Sequence, residues 1–111
     1  MAMGKNDTTV SVMNSCLNVQ NAVSGVGLRF HKTLQSFSAA VGLSGPNDYR
    51  YDPKIIYDPI ADRYIAIMLN GTNAANYIVV GFSTSYNPLK GWNFYKFYGN
   101  YAGDTTWSFG L

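Results

Sequence analysis

The sequence contains no glutamate, a single cysteine and a single histidine, and only 13% of its 111 residues are charged. An ordinary soluble domain has about 25% charged residues. Glutamate is a good helix former, whereas the Asn, Thr, Tyr and Gly residues that are frequent here are not. This composition therefore predicts strands and turns, in a chain whose length allows one domain at most.

The scarcity of reactive side chains argues against an enzyme. Cys16 can form no intrachain disulfide and no cysteine-based metal site, and we predict that it is a small buried apolar residue. His31 has no carboxylate at close spacing and no serine in a G-x-S-x-G turn, so no triad is predicted. Gly25-Val26-Gly27 lacks the third glycine of a phosphate-binding loop. We predict no catalytic, ligand-binding or metal-binding residues and no cofactor.

Concentrated positive charge is also absent. The eight basic residues are spread along the chain and the net charge is +2, so the sequence lacks the basic patch of a nucleic-acid-binding protein. No apolar run approaches the roughly 20 residues of a membrane span. Met1-Ala2-Met3-Gly4-Lys5 is not followed by the apolar region of a signal peptide. We interpret residues 1–8 as a tag or a disordered start.

The second half of the chain has the clearest pattern. Turn residues separate four apolar segments, and the sequence therefore predicts four strands. These strands are Lys54–Tyr57, Arg63–Leu69, Tyr77–Phe82 and Trp92–Tyr98. Since neighbouring side chains of a strand point to opposite faces, the apolar residues at both odd and even positions predict a sheet covered on both sides.

The two-sided pattern defines a predicted core. The residues expected to be nearly fully buried on one face are Ile65, Ile67, Leu69, Ile78, Val80 and Phe82, with Ala66 and Val79 on the other. The fourth strand includes Asn93 and Lys96, which places it nearer an edge. A four-stranded sheet covered on both faces is typical of a β-propeller blade.

The first half of the chain is ambiguous. Val12, Cys16, Val19 and Val23 fit a helical stripe, but poor helix formers surround them, so we favour a strand over Thr9–Gln20. The remainder is predicted as a turn at Gly25 and Gly27, a strand over Leu28–Leu34, a helical turn or loop over Ser36–Val41, and a loop over Ser44–Asp48.

Two segments of the second half resemble the blade signature of secreted bacterial β-propeller-like repeat proteins. Residues 51–64 read YDPKIIYDPIADRY, against D-P-x-φ-x-Y-D-x-x-x-D-R-φ in that family, where φ is apolar. Residues 78–92 read IVVGFSTSYNPLKGW, against an apolar run followed by S-x-T-x-D-P-x-G-x-W. The resemblance covers about residues 50–98 and departs from the pattern at Asn87, which replaces the usual aspartate.

The resemblance implies an all-β fold and a place outside the cell. It predicts an antiparallel sheet of β-propeller-blade type, with about one and a half blades in all. Residues 9–48 would be a strand pair of a neighbouring blade plus a loop, and residues 49–111 a four-stranded blade and the following loop. The expected function is a non-catalytic structural, adhesion or binding module, secreted or on the cell surface. It would be a fragment of a larger propeller or a self-assembling subunit, because propellers typically have 4–8 blades. The alternative is part of a propeller-type carbohydrate-active enzyme or lectin.

Two groups of side chains have competing interpretations. Asp52, Asp58 and Asp62 have the hard oxygen ligands that Ca²⁺ prefers, but we favour turn capping, with Asp62 paired to Arg63 or Lys54. The aromatic residues of the C-terminal part could stack on sugars, but we favour packing in the core and between blades. Alternation places Trp92, Phe94 and Tyr98 on one face and Tyr95 and Phe97 on the other, with Tyr101 beyond them.

The two-sided pattern also predicts the partners. Because the rest of the chain supplies at most one covering layer, one apolar face is expected to lack a partner within the chain. The expected partners are a second copy or the rest of a larger propeller, and carbohydrate is a possible ligand. No nucleic-acid partner and no membrane span are expected. The competing interpretation is a compact monomer in which residues 9–43 cover the open face.

Overall fold

The structure is a computed structural model, and it describes residues 1–4, 8–21, 28–43, 48–71 and 76–99. Its strands are β1 (Ala2–Met3), β2 (Thr8–Val12), β3 (Cys16–Asn21), β4 (Leu28–Thr33), β5 (Arg50–Asp58), β6 (Arg63–Asn70), β7 (Tyr77–Ser83) and β8 (Trp92–Tyr98). A short helix α1 (Leu34–Phe37) and a 3₁₀ helix (Ala39–Val41) lie between β4 and β5.

The strands form two four-stranded antiparallel sheets. The first sheet has the order β1-β2-β3-β4 and the second has the order β5-β6-β7-β8. Each described strand therefore pairs only with strands that are next to it in sequence, and helical residues are few. The predicted all-β class is confirmed.

The first sheet is larger than the strand pair predicted for residues 9–48. The strand expected over Thr9–Gln20 is divided by a tight turn, in which the Met13 N–H donates to the Cys16 carbonyl at 2.9 Å. Asn14 and Ser15, residue types that are common in turns, lie at this turn. Ala2 pairs with Val10, so residues 2–3 form a strand where the sequence predicts none. The predicted features at residues 25, 27 and 44–47 lie outside the described residues, as do residues 5–7.

A short helical segment links the two sheets. The Thr33 hydroxyl oxygen accepts a hydrogen bond from the Ser36 N–H at 3.1 Å and so caps α1. The 3₁₀ helix ends at Gly42, whose φ of 72° is left-handed. Of the two alternatives expected for Ser36–Val41, a helical turn or a loop, the structure has helical turns. Leu34, Phe37 and Val41 from this segment are buried in the core.

Strand β5 is longer than predicted and contains a bulge. Tyr51 pairs with Leu69, but the next pair is Lys54 with Ile67, so β5 has an extra residue opposite β6. Asp52 has a φ of 48°, and Pro53 has no N–H to donate to a neighbouring strand. An edge strand tolerates such a proline, and β5 is an edge of the second sheet.

One cluster of buried side chains lies between the two sheets. The first sheet contributes Val10, Leu17 and Val19, and the second contributes Ile55, Tyr64, Ala66, Met68 and Val79. Gly4 lies so close to Tyr64 that an added Cβ would overlap the phenol hydroxyl. Tight packing therefore extends from the start of the chain to the centre of the second sheet.

The predicted core is correct on one face of the second sheet and wrong on the other. Ala66 and Val79 are 1% and 0% exposed, as predicted. Ile67, however, is 40% exposed, and the remaining five residues predicted with it, Ile65, Leu69, Ile78, Val80 and Phe82, are only partly buried. The reason is that the first sheet covers only one side of the second.

Candidate functional site

The uncovered side of the second sheet has exposed and half-buried apolar side chains on all four strands, and we call it the open face. Its apolar side chains come from all four strands and are Ile56, Ile65, Ile67, Leu69, Ile78, Val80, Phe82, Tyr95 and Phe97. Ile56, Tyr95 and Phe97 are 59%, 53% and 57% exposed. Contiguous apolar surface of this kind marks interaction sites in soluble proteins.

Strand register arranges the open face in three rows that run across the strands. The rows are Ile56–Ile65–Phe82–Asn93, Lys54–Ile67–Val80–Tyr95 and Tyr51–Leu69–Ile78–Phe97. Side chains opposite each other on neighbouring strands contact one another, which makes such rows continuous. Each row is apolar in its centre, on β6 and β7. The open face therefore has an aliphatic middle, formed by the strands that have neighbours on both sides.

Among the described residues, the charged side chains of the open face lie on β5 and at the start of β6. Lys54 on β5 and Arg63 at the start of β6 are exposed, and Asp58, which lies opposite Arg63 in the strand register, is half-buried. The opposite edge, on β8, has Asn93, Tyr95 and Phe97 and no charged residue in the rows. The two halves of the open face therefore differ in chemistry, with charged side chains on β5 and β6 and aromatic rings on β8.

The outer side of the first sheet is mostly polar, with Met3 as an exposed apolar residue at its β1 edge. Register places Ser11, Asn18 and His31 in one row there, and Gln20 is exposed on the same side. The exposed His31 ring lies with its Nδ1 2.6 Å from the Asn18 side-chain oxygen. Cys16 is a free thiol and is buried, as predicted. The chain therefore presents one polar and one apolar sheet face to its surroundings.

A cleft of about 520 Å³ lies at the bulge of β5, beside the open face. Its apolar wall includes Val12, Ile67 and Met68, and its rim includes Asp52 and Lys54. The Asn14 side-chain oxygen accepts a hydrogen bond from the Asp52 N–H at 3.0 Å, so the turn of the first sheet holds the bulge. Sequence reasoning missed this cleft, although Pro53 within a strand is a signal for a bulge.

The three aspartates considered as calcium ligands act separately in the structure. The Asp58 carboxylate accepts hydrogen bonds from the N–H groups of Ile60 and Ala61 at 2.9 and 3.3 Å. The Asp62 carboxylate accepts one from the Tyr57 hydroxyl at 2.8 Å. Burial and this bond raise the pKa of Tyr57. Within the described ranges, no group of three or more His, Cys or Asp side chains is arranged to hold a metal ion.

The aromatic residues of β8 divide between the two faces as alternation predicts. Trp92 and Phe94 point to the inner side, where both contact Phe37 edge-on, with ring centroids 4.8 and 4.9 Å apart. The Trp92 indole N–H donates to the Pro88 carbonyl at 2.9 Å. Tyr95 and Phe97 lie on the open face. Packing therefore accounts for the inner rings, while the outer ones remain available to a partner; Tyr101 lies outside the described residues.

Comparison of the chain with protein-family models, with curated proteins and with solved structures finds no match. In the part of the chain that the structure describes, no helix has the length and apolar character needed to cross a bilayer. The open face and the adjacent cleft are thus the features from which a function has to be inferred.

Proposed function

We propose that the chain is a non-catalytic, extracellular structural module of β-propeller-blade type that acts by stacking sheet on sheet. Two consecutive four-stranded meanders support this proposal, since a propeller is built by repetition of such sheets. The first strands of the two sheets, β1 and β5, contact each other. Radial repetition of sheets around an axis requires such contact between the first strands of neighbouring sheets. The extracellular place is supported by the blade-like sequence and the low content of charged residues.

The observation that carries the proposal is the difference between the two sides of β6. Tyr64, Ala66 and Met68 point inward and are at most 1% exposed, because the first sheet packs on them. Ile65 and Ile67 point outward with equally apolar side chains and have no covering layer among the described residues. A sequence that is apolar on both sides of a sheet is typical of a sheet that lies between two others.

A pair of lysine substitutions on neighbouring residues tests this proposal. We expect Ile67→Lys to retain a cooperative thermal transition, because its side chain already reaches solvent. We expect Met68→Lys to unfold the chain, since it buries an unpaired charge. Circular dichroism and binding of a hydrophobic dye report the fold and the exposed face. If Ile67→Lys unfolds the chain as Met68→Lys does, the open face is covered within the chain and the proposal fails.

A second candidate function is carbohydrate binding, and the exposure of Tyr95 and Phe97 on the open face favours it. Aromatic rings combine a large apolar surface with, in tyrosine, a hydroxyl group that can bind a polar ligand. A glycan array with the unmodified chain and with Tyr95→Ala tests this function. Binding that Tyr95→Ala removes and Tyr86→Ala, an exposed tyrosine in the loop before β8, leaves intact would support it. No binding to any glycan would reject it.

A further inference from the structure

We propose that the partner of the open face is the same face of a second copy of this chain, in a two-fold symmetric, face-to-face dimer. This inference rests on the proposed function, because it assigns an occupant to the face through which the module stacks. It commits to a symmetric pair rather than to a ring or a filament. Three properties of the described surface support it.

The first property is the polarity of the two outer faces. Head-to-tail stacking would place the outer side of the first sheet, with Ser11, Asn18 and His31, against the open face of the next copy. Such a contact would remove these polar groups from water without providing hydrogen-bond partners, which is unfavourable. Pairing two open faces buries apolar surface against apolar surface instead. The symmetric arrangement is therefore the one that this chain can form with itself.

The second property is the distribution of charge across the rows. With a two-fold axis parallel to the strands between β6 and β7, β5 of one copy lies over β8 of the other. Lys54 then faces Tyr95 of the second copy, a cation over an aromatic ring, and Ile67 faces the second copy's Val80. An axis perpendicular to the strands and centred on the middle row would place the two Lys54 ammonium groups against each other. Charge therefore selects the parallel axis, which also agrees with the aligned packing of β-sandwiches.

The third property is the size of the open face. Four strands at about 4.8 Å spacing and seven residues at about 3.3 Å rise give a flat area of about 19 by 23 Å, or about 440 Å². The two copies together would bury about 900 Å² of flat area, at the low end for specific interfaces. We therefore expect a dimer that forms and dissociates with concentration, rather than a permanent one.

Analytical ultracentrifugation of the full chain tests the stoichiometry. Between about 10 and about 500 μM, a range suited to a weak interface, we expect the mass to rise from 12.2 kDa toward twice that value and no further. Ile67→Glu should weaken association by at least about tenfold, because it places a charge in the middle of the interface. Ser11→Glu, on the polar face of the first sheet, is the matched control and should leave association unchanged.

A mixing experiment tests the position of the axis. Val80→Lys alone should weaken association as Ile67→Glu does. A mixture of the two variants should regain the dimer mass, because the two introduced charges face each other across the proposed axis. A monomer at all concentrations would overturn the dimer, as would growth beyond a dimer, or sensitivity to Ser11→Glu. No recovery on mixing would overturn the proposed axis. If Ile67→Lys remains folded while the unmodified chain is monomeric, the stacking module stands and the self-pairing alone is rejected.

Discussion

Arg50 is the buried charge on which the connection between the two sheets depends, and its loss is the sharpest test of the fold. The side chain is 1% exposed and forms an ion pair with Asp48, whose side chain is 21% exposed. Its Nη1 also donates to the Asn70 side-chain oxygen at 2.7 Å, and its Nε donates to the Ser38 hydroxyl at 2.9 Å. The Ser38 hydroxyl in turn donates to the Leu34 carbonyl at 2.7 Å. One guanidinium group thus joins the helical linker to β5 and β6.

We expect Arg50→Gln to lower the free energy of unfolding by about 3–5 kcal/mol, because removing one member of a buried ion pair leaves its partners desolvated. Total stabilities of domains are about 5–15 kcal/mol, so the loss is a large fraction. For a chain of this length, about 4 °C per kcal/mol gives a fall in Tm of about 12–20 °C. Arg50→Lys should recover only part of this, since an ammonium group cannot reproduce the three directed bonds.

Urea denaturation followed by tryptophan fluorescence measures the effect, and Arg63→Gln is the matched control. Arg63 is exposed on the next strand, so the same substitution there should change the free energy of unfolding by less than about 0.5 kcal/mol. A loss at Arg50 below about 1 kcal/mol, or a loss equal to that at Arg63, would refute the interpretation of a buried network.

The remaining predictions concern three other sites of close packing or burial. Gly81→Ala should lower the free energy of unfolding by about 1–3 kcal/mol, measured by denaturation, since the new Cβ would come 2.8 Å from Phe94 Cδ1. Phe94→Leu should relieve part of that loss in a double-mutant cycle. Additive effects of the two substitutions would contradict this contact. Asn76 is 0% exposed, and neither side-chain amide atom has a hydrogen-bond partner among the described residues. Asn76→Leu should therefore be close to neutral in Tm and Asn76→Asp strongly destabilising. Equal effects of the two substitutions would count against this. Burial raises the pKa of Tyr64 above 10.0, so the native state favours the neutral phenol. The contribution of Tyr64 to stability should therefore be constant below about pH 10 and fall as the pH rises further. Between about pH 9 and 11.5, Tyr64→Phe should show a smaller fall in Tm than the unmodified chain. An unchanged pH dependence would exclude Tyr64 as the cause.

The strands of the second sheet could be predicted because period-two patterning and turn residues act locally. Arg63–Leu69 and Tyr77–Phe82 agree with β6 and β7 to within one residue at each end. Alternation alone predicted that Tyr95 and Phe97 lie on the same face of the sheet, opposite Trp92 and Phe94. Which of two apolar faces is covered does not follow from alternation, since it depends on where the first sheet packs. For that reason the predicted burial was correct for Ala66 and wrong for Ile67.

The candidate site required information that is distant in the sequence. The cleft at the β5 bulge combines Asn14 with Asp52, which are 38 residues apart, through one hydrogen bond. The buried Arg50 network likewise depends on Asn70, 20 residues away. No local pattern identifies such pairs, because polar residues in turns usually bond nearby backbone. The polar character of the first sheet's outer side became visible only when register placed Ser11, Asn18 and His31 in one row.

The consecutive order of strands within each sheet has a consequence for the rate of folding. Every pairing between described strands joins neighbours in sequence, so each sheet forms by closing short hairpin loops in succession. Folding rates decrease as contacts join residues farther apart along the chain, and all-β proteins are usually slow for that reason. Here the distant contacts are those between the two sheets, such as the hydrogen bond from the Tyr64 hydroxyl to the Thr8 carbonyl at 3.2 Å. Each meander is thus a local folding unit, and docking of one onto the other is the step in which most of the loop-closure entropy is lost.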